Sequence, residues 1–139
     1  MKQERVKLLA IIITISYVGA VLFMCLHNFS SSDMELPTSF LGIPMDKVAH
    51  FIMFLPFCFV FWFLLCFSRE DRSGHVYAMI LLLGLFFASI TEAMQESFTE
   101  ERCAEAYDLF SDSLGISFGM ALVLSLKERI SACINRILI

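Results

Sequence analysis

The chain has 139 residues, 58% of them hydrophobic and only 17% charged, with fifteen Phe but six Gly and three Pro. Soluble domains of this size carry closer to a quarter charged residues and barrels need many turns, so the composition points to apolar helices in a bilayer. A net charge of −4 and the lack of a long basic tract argue against nucleic acid as a partner.

Four apolar stretches follow in chain order. The first, 8–26, carries no charge and is preceded by Lys2, Arg5 and Lys7. It exceeds a signal-peptide core in length and no small-x-small cleavage site follows it, so it is predicted as a retained helix. His27 to Met45, with Ser30, Ser31, Ser32, Asp33, Pro37, Gly42 and Pro44, is predicted as an irregular loop. The second stretch, 48–67, holds His50 and a run of Phe residues that reads as packing and lipid-facing surface. Pro56 lies mid-span and predicts a kink, because it removes one backbone hydrogen bond. The third, 76–95, is apolar as far as Thr91 and then carries Glu92, Gln95 and Glu96. Residues 97–107 are acidic and helix-permissive, which predicts a short interfacial segment. The fourth, 109–126, holds only Asp112.

Each stretch approaches the roughly 20 residues a helix needs to cross about 30 Å of hydrocarbon. Backbone polar groups must be satisfied internally there, which leaves helices as the assignment. The expected fold is all-α: a polytopic membrane protein, a four-helix transmembrane bundle with a short interfacial segment between helices three and four, in a single domain over 1–139. With the N-terminus inside, eight Lys and Arg fall on the cytoplasmic side and only Lys47 and Arg102 outside. That bias predicts a multi-pass protein of the cell membrane with both termini cytoplasmic.

The five Cys form no C-x-x-C pair and no zinc spacing. Cys25, Cys58 and Cys66 fall within helices, Cys103 in an outer loop, and Cys133 after the fourth helix. Most read as small apolar fillers.

Ionisable residues inside a span cost a few kcal/mol each on insertion scales, so each one asks for a reason. His50 lies about one turn inside the start of the second span, Glu92 about one turn inside the end of the third, and Asp112 about one turn inside the start of the fourth. Three helices thus bring an ionisable group to one depth on the outer side. Asp46 and His50 share a helix face, as do Glu92 with Gln95 and Glu96, and Asp108 with Asp112. If those faces meet, His50, Glu92, Gln95, Asp108 and Asp112 converge, with Lys47 and Arg102 at the rim. Such a cluster is either a binding or catalytic pocket, or a set of buried charges that satisfy one another and tie the helix tops together. Ser111, Gly115 and Gly119 recur at intervals of four, a small-residue stripe that serves close packing within the bundle or a homodimer face.

In order, Asp46-Lys47-x-x-His50-Phe51-x-x-Phe54, Glu92-x-x-Gln95, Arg102 and Asp108-x-x-x-Asp112-x-x-Gly115-x-x-x-Gly119 resemble the VanZ-like family. The resemblance spans roughly 45–120; the first helix matches only by position and apolarity. Asp112 stands where the family's pattern usually has Asn, and the family's Pro before the Arg is missing. The resemblance implies a small multi-helix membrane protein related to one associated with low-level resistance to teicoplanin, a lipid-bearing glycopeptide.

The leading expectation is a non-enzymatic protein that binds a cell-envelope amphiphile, a membrane lipid or lipid-bearing antibiotic, at the extracytoplasmic face and affects antibiotic susceptibility. Asp46, Lys47, His50, Glu92, Gln95, Arg102, Asp108 and Asp112 form its expected binding set, with Lys47, His50 and Arg102 placed for an anionic headgroup. Acids nevertheless outnumber bases on this side, and the charges suit a cationic group or metal at least as well. No cofactor or resident metal is expected. The alternatives are a membrane enzyme acting on a lipid phosphate headgroup, with His50 as acid or base, and a structural or ion-coupled subunit.

Overall fold

The computed structural model describes residues 2–26, 39–40, 42–66, 74–98 and 106–138, and nearly all of them are helical. Helix α1 spans Lys2–Leu26, α2 Met45–Phe54, α3 Phe57–Cys66, α4 Gly74–Phe98 and α5 Ala106–Leu138. Four candidate membrane spans result: Glu4–Leu26, Met45–Leu65, Gly74–Ser97 and Ala106–Cys133. The second is built from α2 and α3 together.

That second span is broken at Leu55–Pro56, as the proline predicts. An unpaired backbone group in a bilayer costs several kcal/mol. Part of the answer here comes from α1, where the Tyr17 hydroxyl donates to the Met53 carbonyl at 2.8 Å. Hydroxyls elsewhere turn inward on their own helix: Thr14, Ser89, Ser97, Ser113 and Ser125 each donate to the carbonyl four residues back.

Two boundaries differ from the sequence reading. Before α2, Ser39–Phe40 and Ile43–Pro44 pair as a two-stranded antiparallel hairpin, where an irregular loop was expected. The turn between them depends on Gly42, whose φ of +80° disfavours any residue with a Cβ. Helix α5 continues past residue 126 to Leu138, so Cys133 lies on the helix and not after it. The apolar run ends near 126, but Lys127-Glu128-Arg129 are good helix formers and carry the helix onward. The expected interfacial segment falls mostly on residues outside the described set.

Helix α5 is the spine, packing against α2, α3 and α4, while α1 packs on α3 and α4. The core joins Val21 and Cys25 of α1, Phe54, Phe57, Cys58 and Trp62 of the second span, Ile80 and Ala88 of α4, and Ile116, Met120 and Val123 of α5. Phe57 stacks on Phe61 and Phe87 with centroids 4.3 and 5.8 Å apart. Large apolar side chains such as Ile15, Leu82 and Phe86 are exposed on the outside, as a bilayer solvent favours.

Gly115 and Gly119 set how closely α2 and α5 approach. A Cβ on Gly115 would fall 2.5 Å from the Phe51 carbonyl oxygen, and one on Gly119 would strike the Leu55 carbonyl oxygen. Both glycines are therefore covered by α2 within the same chain. Ser111 donates its hydroxyl to the Tyr107 carbonyl on its own helix. The two glycines of the stripe thus serve packing inside the bundle. The same logic holds at Gly84, whose Cβ would come within 3.0 Å of Ile116 and 3.1 Å of Phe57.

Candidate functional site: a polar cluster beside an apolar groove

Helices α2 and α5 run parallel, and their contacts advance in step. Lys47 meets Asp108, His50 meets Asp112, and the carbonyls of Phe51 and Leu55 meet Gly115 and Gly119. Three residues on one helix and four on the other each make about one turn, so both polar pairs close on a single face.

The deeper pair is His50 with Asp112, joined Nδ1 to Oδ1 at 2.9 Å. His50 is 6% exposed and Asp112 1%. The second carboxylate oxygen, Oδ2, has no hydrogen-bond partner among the described residues. At the rim, the Lys47 ammonium forms a short ion pair with Asp108 and reaches Asp46 at 3.1 Å. Lys47 and Asp108 are largely covered, whereas the Asp46 side chain is 46% exposed.

From α4, Glu92 and Gln95 are both buried, and Glu92 is near enough for its charge to act on His50. Gln95 donates its amide to the Cys25 carbonyl at 3.0 Å, satisfying one of the carbonyls that the end of α1 leaves open. Glu96, expected on the same face, is exposed. The structure therefore gathers Asp46, Lys47, His50, Asp108 and Asp112 into one α2–α5 cluster, with Glu92 beside it and Gln95 turned toward α1. Arg102 lies outside the described residues. Among the described residues, no three His, Cys, Asp or Glu side chains converge as a metal site would need.

Next to the cluster is a feature that the polar motifs do not announce. A groove of about 660 Å³ opens between the hairpin and the first turns of α2 and α5. Among the described residues its walls are Ile43, Pro44, Val48, Phe51, Tyr107, Phe110, Ser111 and Leu114, with Lys47 the one charged lining residue. The volume falls within the range of small-molecule sites, roughly 300–1,000 Å³. A signal for it is present in the sequence: Tyr107, Phe110, Ser111 and Leu114 follow the i, i+3, i+4, i+7 spacing of one helix face. The α5 face therefore carries two surfaces side by side, a polar edge at Asp108 and Asp112 and an apolar edge one step around the helix.

Compared with known proteins, the chain matches no curated protein and no solved structure. The sequence model of the VanZ/LLP1 family matches residues 6–127, which takes in the second and third spans whole, most of the first and fourth, and every residue of the cluster. With that match and four helices long and apolar enough to cross a membrane, this chain is a multi-pass membrane protein of the VanZ/LLP1 family.

Proposed function

We propose that this protein binds a cell-envelope amphiphile, a lipid or a lipid-bearing antibiotic, at the extracytoplasmic face and so changes antibiotic susceptibility without chemical turnover. One observation carries the proposal: a wide apolar groove lies directly against a buried ionic cluster at one end of a membrane bundle. An amphiphile has that same division. Its tail is accommodated by Val48, Phe51, Phe110 and Leu114, and its headgroup by the rim around Asp46, Lys47 and Asp108. The Lys and Arg distribution supports placing this rim on the outer side.

Expression in a susceptible host tests it. The wild type raises the inhibitory concentration of a lipid-bearing envelope antibiotic, with the drug recovered intact by mass spectrometry. Ser111→Trp, which fills the groove, removes the effect at unchanged membrane abundance. An unchanged effect in Ser111→Trp would remove the groove from the account.

The pairing of His50 with Asp112 favours one second reading, an enzyme acting on a lipid phosphate, because a carboxylate that fixes a histidine ring is the usual support of a general base. Release of phosphate from a lipid by purified protein, lost in His50→Ala, would bring that reading forward.

A further inference from the structure

Resting on the amphiphile reading, we infer that the headgroup recognised beside the groove is cationic: the occupant is an amphiphile with an ammonium next to its apolar tail. Among the described residues the groove is a largely apolar surface with one cation on its wall, and that cation is already committed. Lys47 is ion-paired to Asp108 and reaches Asp46 at 3.1 Å, so the three side chains together carry one net negative charge. The member of the trio most open to a ligand is a carboxylate, Asp46, at 46% exposure.

An anionic headgroup would have to draw Lys47 away from two carboxylates and leave both short of their partner. Removing one member of a desolvated ion pair is the costly operation, whereas adding a cation beside a net negative trio is not. The surrounding charge has the same sign. Among the described residues between 92 and 112 there are four acids, Glu92, Glu96, Asp108 and Asp112, and no Lys or Arg. Three lining residues, Phe51, Tyr107 and Phe110, are aromatic. The faces of such rings attract ammonium groups and give nothing to a phosphate.

Three chain-matched probes separate the possibilities: an alkylammonium, an alkyl phosphate and an uncharged alkyl alcohol. Each is added to the purified full-length protein in an uncharged detergent, and retention is read by native mass spectrometry. The expected result is alkylammonium binding about tenfold or more tighter than either other probe, a preference that collapses in Asp46→Asn and reverses in Asp46→Lys. Tighter binding of the alkyl phosphate, or equal binding of the alcohol, overturns the charge assignment and leaves the amphiphile reading standing. A preference for the ammonium that persists unchanged in both Asp46 variants overturns it too. Retention of no probe above the level of Ser111→Trp sinks the amphiphile reading itself, and the inference with it.

Discussion

His50 on α2 and Asp112 on α5 stand 62 positions apart in sequence and are joined by a 2.9 Å hydrogen bond in a nearly dry site. The approach is set by the glycines below it. Gly115 and Gly119 admit the carbonyls of Phe51 and Leu55 against the α5 backbone, and that proximity brings the two polar side chains within bonding distance. In a bilayer, where helices gain nothing by hiding apolar surface from lipid, such contacts do the work of association.

Removing one member of that pair leaves the other buried. His50→Leu is expected to lower stability in detergent by roughly 3–5 kcal/mol, read as a fall in the thermal unfolding midpoint. The double variant His50→Leu with Asp112→Leu recovers most of the loss, because no uncompensated group remains. If the double variant is as unstable as the single one, the pair is not coupled as described.

Gly115→Ala and Gly119→Ala each direct a methyl group at a backbone carbonyl that has little room to retreat. Overpacking of this kind costs about 1–3 kcal/mol, so both variants are expected to unfold at lower temperature. Gly19→Ala is the internal control: nothing lies within 4 Å of its added Cβ, and the change favours the helix. Equal effects at all three positions would refute close approach at α2–α5.

Much of this arrangement is legible in the residues themselves. Apolar length gives the four spans, Pro56 gives the break, and the depth of His50, Glu92 and Asp112 gives the shared end. Partner choice is not legible, because local spacing cannot say which helix stands beside which. Asp46 and His50 share a face by spacing, yet it is Lys47 that meets Asp108, with Asp46 reaching in from the exposed side. Gln95 turns to the end of α1, since a backbone carbonyl carries no mark in the sequence. The groove escapes a search for polar motifs because its walls are apolar and one of them is a hairpin that turns on Gly42.

Orientation is tested through cysteine. Cys133 is a free, exposed thiol on α5, and Cys103 lies outside the described residues. With eight basic residues expected inside against two outside, an impermeant thiol reagent on intact cells is expected to label a variant whose only cysteine is Cys103 and to spare one retaining only Cys133. Labelling in the opposite pattern would invert the topology and put the groove in the inner leaflet.

Occupation of the groove by an amphiphile is tested most directly by photo-crosslinking in native membranes. A diazirine placed on the alkyl chain of a single-chain probe marks whatever side chains the tail touches, and peptide mass spectrometry locates them. Adducts are expected to concentrate on Phe51, Phe110 and Leu114, to be competed by unlabelled probe and to be abolished by Ser111→Trp. Adducts spread over the outward-facing Ile15, Leu82 and Phe86, with no enrichment in the groove and no response to Ser111→Trp, would contradict that occupation.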